Sequence, residues 1–215
     1  FHSVEPSVRR RLSELFAPGL RAMTLTLWIA FLCNVFAVYV FFNWLPTVLG
    51  SVGLPVAAAI RGSLFFNIGG VVGALAGALL MNYFGSLRVT VGLCLVSIVS
   101  TALIGQHPVF NGAEAASAGV ALTALMTLAG VGINGLQTQL YVLAAHVFPT
   151  PLRATGIGSC GAIGRLGGVL STGAGSVMFA LGLSGGNFFL GLAMVMVPTL
   201  LAMLLFRHHV QKLVD

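Results

Sequence analysis

The chain has 215 residues, 58% hydrophobic and only 7% charged, with a mean hydropathy of +1.03. A soluble domain carries about 25% charged residues, so the composition is that of a membrane protein. At about 20 apolar residues per span the length holds roughly six transmembrane helices and excludes an added soluble catalytic domain. The net charge of +6 does not indicate nucleic acid, because the basic residues stand at the ends of apolar runs rather than in one patch.

Residues 1–22 form a lead-in that opens on Phe1 rather than on methionine, as expected of a piece of a longer polypeptide. Val8, Leu12, Leu15 and Phe16 recur at helical spacing beside Arg9, Arg10 and Arg11. That pattern fits either an interfacial amphipathic helix on the anionic inner leaflet or a solvated linker. The body, 23–206, is divided by sparse charges and turn residues. Between Arg21 and Arg61 lie 39 residues without a formal charge. Turn residues at Gly50 to Pro55, Asn82 to Ser86, Gln106 to Gly112, Pro149 to Pro151 and Gly182 to Gly186 then predict helices at 23–48, 61–81, 87–105, 116–147, 154–181 and 187–206, followed by a tail over 207–215.

An even number of spans puts both termini on one side. That side collects Arg9, Arg10, Arg11, Arg21, Arg88, Arg153, Arg207 and Lys212, against Arg61 alone on the other, so both ends are expected in the cytoplasm and the protein in the plasma (inner) membrane. Cys33, Cys94 and Cys160 are odd in number and fall within or at the ends of spans, so neither a disulfide framework nor a metal site is expected.

Ile68, Gly69 and Gly73 of the second span match Ile163, Gly164 and Gly168 of the fifth at an offset of 95 residues, which is three spans. A three-plus-three inverted repeat is the plan of several secondary transporters. Gly69, Gly73 and Gly77, and then Gly161, Gly164, Gly168, Ser171 and Gly175, make small-residue faces on which helices approach closely or slide.

Polar residues inside spans are costly unless they face protein or a water-filled cavity. On the fourth span Thr127, Asn134, Gln137 and Tyr141 share a face and are expected to wall a cavity or to bond between helices. On the first, Trp28, Tyr39 and Asn43 share another, suited to stacking on and hydrogen-bonding a small organic solute. Asn34 and Asn67 stand alone and read as packing partners. Arg165 lies about 11 residues into the fifth span, roughly 16 Å deep, and none of Glu5, Glu14, Glu114 and Asp215 falls within a span. Its counter-charge must be helix-terminal carbonyls, a bound anion, or an acid on a partner domain.

The run Phe148-Pro149-Thr150-Pro151-Leu152-Arg153-Ala154-Thr155-Gly156-Ile157-Gly158, followed by Gly164-Arg165-Leu166-Gly167, resembles the connection between the fourth and fifth helices in the C-terminal half of major facilitator superfamily transporters. The lead-in Glu14-Leu15-Phe16-Ala17-Pro18-Gly19-Leu20-Arg21 and the stretch Trp44-Leu45-Pro46-Thr47 are most similar to the aromatic-acid:proton symporters. The resemblance implies helices 7 to 12 of a twelve-helix all-α membrane fold, partnered by a missing N-terminal six-helix half that holds the proton-carrying carboxylates. It implies proton-coupled uptake of a small aromatic or other organic carboxylate across the lipid bilayer by alternating access, and the residues expected at that substrate, from the helix faces and depth above, are Arg165, Asn134, Gln137, Tyr141, Tyr39 and Asn43. No cofactor is implied. Asn82-Tyr83-Phe84-Gly85-Ser86-Leu87-Arg88 stands where the family usually reads like Asp-Arg-x-Gly-Arg-Arg, so the helix-capping acid and most of that charge are gone.

Two alternatives stay open at this point: a transporter of another metabolite such as a sugar, and a stand-alone six-helix half-transporter acting as a dimer. An enzyme is not expected. Gly182-Leu183-Ser184-Gly185 matches the nucleophile string of intramembrane serine proteases, yet it falls in the outer turn, and His208 and His209 fall beyond the opposite end of the last span. The basic bias gives the first test. A reporter active only in the cytoplasm should work when fused after Asp215 or between Pro149 and Arg153, and fail when fused near Asn111; the reverse pattern would overturn the orientation.

Overall fold

The computed structural model describes residues 12–111, 119–182 and 185–211, so residues 1–11 of the lead-in, with Glu5, Val8 and Arg9 to Arg11, lie outside it, as do Glu114, Ser184, Lys212 and Asp215. The described residues hold no strand. They form α1 (Arg21–Ser51), α2 (Val56–Phe84), α3 (Ser86–Gly105), a 3-10 turn (Pro108–Asn111), α4 (Val120–Val147), α5 (Arg153–Ala180) and α6 (Gly186–Gln211). Five stretches are long and apolar enough to cross a membrane: α1, α2, α3, α4 and residues Gly186–Leu205 of α6. The α5 helix is as long as α4 but is not among them, because glycine, serine, threonine and Arg165 replace larger apolar side chains along it.

The expected helix borders hold to a few residues, with shifts of five residues at the start of α2 and at the end of α6, which runs on to Gln211. The α2 helix begins at Val56, not near Arg61. Pro55, at φ −65° and ψ 151°, sets the start, and Arg61 sits inside the helix with an exposed side chain long enough to carry its charge outward. Gly85, at φ +80°, makes the tight reversal into α3. Before α1, residues 12–20 fold back on the bundle. Leu15 is fully buried, its carbonyl accepts from Thr24 Oγ1 at 2.9 Å, and Phe16 meets Trp28 edge-on with ring centroids 5.4 Å apart.

The α2 helix lies against α4 and α1 lies against α5, while α3 fills the angle between α4 and α6, and α6 closes back on α1. Phe41 and Phe66 stack in the core at 4.1 Å between centroids, with Phe189 tilted against Phe41. Outward, α2 presents Val71, Leu75 and Leu79 and α5 presents Val169, Leu170 and Val177, all exposed, as expected of surfaces facing lipid or another transmembrane unit.

Lipid chains are as apolar as leucine, so helix association in a bilayer depends on close packing and hydrogen bonds more than on burial from water. Glycine supplies that closeness here. A methyl group at Gly69 would collide with the Thr127 backbone carbonyl, one at Gly73 with the Val131 backbone, and one at Gly130 with the Phe66 carbonyl. Across the bundle, one at Gly164 would come within 2.9 Å of Val35 Cγ2 and one at Gly167 would strike the Leu32 carbonyl.

These contacts set a contrast within one residue type. Gly69→Ala should lower stability by about 1–3 kcal/mol through overpacking, whereas Gly92→Ala on α3, where an added methyl meets open space, should be neutral or stabilising by up to ~1 kcal/mol through helix propensity. Thermal unfolding of the two variants in detergent measures the difference, and equal effects would remove the close approach as its cause.

Between α3 and the 3-10 turn, His107 is buried, and its Nδ1 accepts from the Val109 N–H at 3.4 Å. Burial pushes its pKa below the ordinary histidine range. The unfolded chain therefore takes up this proton more readily than the folded one, and stability should fall as pH drops through about 6.5. His107→Gln should flatten the acid limb of a melting-temperature profile between about pH 7 and 5; an unchanged limb would assign the acid sensitivity to other groups.

Candidate functional site

The polar groups of the spans converge at one place. A cleft of about 220 Å³ is lined by Val35, Val38 and Tyr39 of α1, Gln137 and Tyr141 of α4, and Gly161 and Arg165 of α5. Arg165 lies twelve residues from the start of α5, roughly 18 Å along the helix, and Gln137 lies ten residues from the end of α4, roughly 15 Å. The cleft therefore sits midway along the helices, away from their ends. Tyr39, Tyr141 and Arg165 are exposed, so it is an open cleft on the bundle's flank.

Glycine shapes its walls. On α5, the notch at Gly168 takes the Tyr39 ring and the notch at Gly175 takes the Trp44 indole, which locks the register of α1 on α5. At Gly161 an added methyl would lie 3.4 Å from the Tyr141 hydroxyl and meet nothing else except the Tyr141 ring, so the absent side chain there is free space in the cleft. Phe31 holds Tyr141 edge-on at 4.8 Å between centroids. Gln137 is held from behind, where its Oε1 accepts from Asn34 Nδ2 at 2.7 Å.

Arg165 is the one charged side chain lining the cleft. Among the described residues it makes no hydrogen bond or ion pair, and their one acidic residue, Glu14, precedes α1. The lining offers N–H and O–H donors from a guanidinium, an amide and two phenols against an apolar floor. It holds no carboxylate, thiol or imidazole, so its chemistry is that of binding an anion or a neutral acceptor, not that of ligating a metal.

The structure thus brings together four of the six residues singled out in the sequence: Arg165, Gln137, Tyr141 and Tyr39. The other two lie elsewhere. Asn134, on the same α4 stripe, packs against α2, where its Nδ2 would come within 2.7 Å of a methyl at Gly70. Asn43 lies further along α1, its Nδ2 at 3.4 Å from Ser171 Oγ. Trp28 donates to Ser159 Oγ at 3.1 Å, and Thr127 lines a different cavity. Val35, Val38 and Gly161 escaped the sequence reading because an apolar floor and an empty corner carry no polar signal.

The cavity lined by Thr127 is larger, about 610 Å³, and lies between the end of α1, the start of α2 and the start of α4, with Leu49, Leu54, Phe65 and Met126 in its walls. Arg61, Thr123 and Thr127 are its polar side chains. Size alone would favour it, but the smaller cleft is the one that holds convergent donors at mid-helix depth, which makes it the candidate site.

No family model matches the chain. Individual proteins do. The chain is 30% identical over 176 residues to the 4-hydroxybenzoate transporter PcaK of Acinetobacter baylyi, covering 81% of this chain and 36% of that protein. It is 32% identical over 196 residues to the PcaK of Pseudomonas aeruginosa, covering 90% and 41%. With the 3-(3-hydroxy-phenyl)propionate transporter of Escherichia coli the identity is 33% over 174 residues, covering 80% and 40%. This chain is a relative of the aromatic-acid transporters. It spans about two fifths of the length of these curated relatives. With its apolar helices, the likeness makes it a multi-pass membrane protein, and the relatives are named as transporters, not as enzymes.

Proposed function

We propose that this chain is the C-terminal six-helix half of a major facilitator superfamily transporter that takes up a small aromatic carboxylate together with a proton by alternating access. The observation that carries the reading is Arg165. A cation near the middle of a span costs about 2.5–3.5 kcal/mol on insertion scales, and this one faces a cleft without a counter-charge among the described residues. A bound carboxylate supplies that charge, and the guanidinium can hold it bidentately. Tyr39 and Tyr141 then flank the ring, and Gln137 donates a neutral hydrogen bond. Asn134 and Asn43 serve packing in this reading. At about 220 Å³ the cleft is smaller than the roughly 300–1,000 Å³ of sites for drug-sized ligands, which suits one aromatic ring with its acid group.

Helix pairing supports the three-plus-three repeat. Gly69 on α2 faces Thr127 and Val131 of α4, and Gly164 on α5 faces Phe31 and Val35 of α1, so both partners recur at offsets of 95 or 96 residues. The repeat also suggests why the cleft is one-sided. The position 95 residues before Arg165 is Gly70, and there Asn134 closes the equivalent gap. The complementary N-terminal half covers the open flank. Among the described residues the one acidic residue, Glu14, precedes α1, and in this reading the half that completes the path brings the proton-carrying carboxylates. The lipid bilayer surrounds both halves.

Equilibrium binding of benzoate to the complete transporter in detergent tests the site. Arg165→Gln should weaken binding at least about tenfold, the worth of a lost charge-assisted hydrogen bond. Arg165→Lys should fall well short of restoring it, because the ammonium keeps the charge but loses the planar fork. Unchanged affinity in Arg165→Gln would remove this residue from the substrate site.

A further inference from the structure

The Gln137 amide has two chemically opposite ends, and the end that faces the cleft is set from outside it. Asn34 on α1 is fully buried, and its Nδ2 lies 3.3 Å from the Ile133 carbonyl and 2.7 Å from Gln137 Oε1. A backbone carbonyl can only accept, so the Asn34 atom facing it must be the NH2 group. That same NH2 group meets Gln137, so the Gln137 atom there must be its oxygen. Among the described residues Gln137 makes no other hydrogen bond, which leaves its own NH2 group for the cleft that it lines.

The arrangement carries a cost. Asn34 Oδ1 is buried with no hydrogen-bond partner among the described residues, and an orphaned buried acceptor destabilises a fold that a leucine of similar size would leave dry and satisfied. What the other end of the Asn34 amide does accounts for the asparagine.

We propose that Asn34 is a positioning residue: it relays the polarity of the Ile133 carbonyl through Gln137, so that an amide NH2 faces Arg165 across the cleft. Donors then approach a ligand from α4 as well as from α5, and a carboxylate is preferred over a ligand of the same shape that must itself donate. This rests on reading the Arg165 cleft as the substrate site.

The test uses the complete transporter in detergent, with benzoate and its isostere benzamide as probes, and a cycle of Asn34→Leu, Gln137→Met and the double variant. Asn34→Leu should retain or raise the melting temperature, weaken benzoate about tenfold, and narrow the preference for benzoate over benzamide. In the Gln137→Met background the same substitution should change benzoate affinity by less than about twofold, because nothing remains to be oriented. Losses that simply add, or wild-type affinity in Asn34→Leu, would overturn the assignment. Should Asn34→Leu fail to fold, Asn34→Ala enters the same cycle. Arg165→Gln separates the two failures: benzoate binding insensitive to it takes down the site and the relay together, whereas binding sensitive to it with an additive cycle takes down the relay alone.

Discussion

Helix contact at backbone distance is the constraint on which the rest of this bundle depends. Hydrocarbon offers helices no gain for leaving it, so association needs surfaces that fit closely. The facing pairs α2 with α4 and α5 with α1 obtain that fit by omitting side chains, at Gly69, Gly73 and Gly130 in one pair and at Gly164 and Gly167 in the other. Each omission costs helix propensity of roughly 1 kcal/mol against alanine, and the tight packing of backbone on backbone across the pair offsets it. Bulk is concentrated where the pairs meet, with Phe41 of α1 stacked on Phe66 of α2 and Phe31 of α1 against Tyr141 of α4.

The same constraint places the cleft. Because α5 is nearly bare along the face it turns to α1, the α1 aromatics Tyr39 and Trp44 seat in its notches and fix the register between the two helices. Arg165 projects beside this seam instead of into it. Gly161, a turn earlier, leaves the corner that the Tyr141 hydroxyl borders. Close packing on one side of α5 and open space on the other thus come from one sequence pattern, glycine at the contact positions and at the corner.

In the proposed site the electrostatic demand of Arg165 and the polarity of Gln137 act together. A lone guanidinium would attract any anion that fits; an amide held with its N–H groups toward the same space adds direction, since a carboxylate has acceptor lone pairs for both. The buried amide that sets this direction in the proposed site lies on α1, which would make the α1–α4 contact part of the binding chemistry as well as of the fold.

That the described chain is built of long apolar helices, and roughly where they run, was legible in the sequence, because charge-free runs of about 20 residues have no other stable form in a bilayer. So was the place of Arg165 midway along its helix, and so was the shared face of Gln137 and Tyr141, from their spacing of four. The fate of Asn134 was not. It lies on the same stripe of α4, but packed helices cross at an angle, so one stripe meets different neighbours along its length: α2 at Thr127, Val131 and Asn134, α1 at Gln137, and both α1 and α5 at Tyr141. Asn34 looked solitary because its partners are about a hundred residues away in the chain. Periodicity along one helix determines which residues can share a face; only the crossing of that helix with its neighbours decides what the face touches.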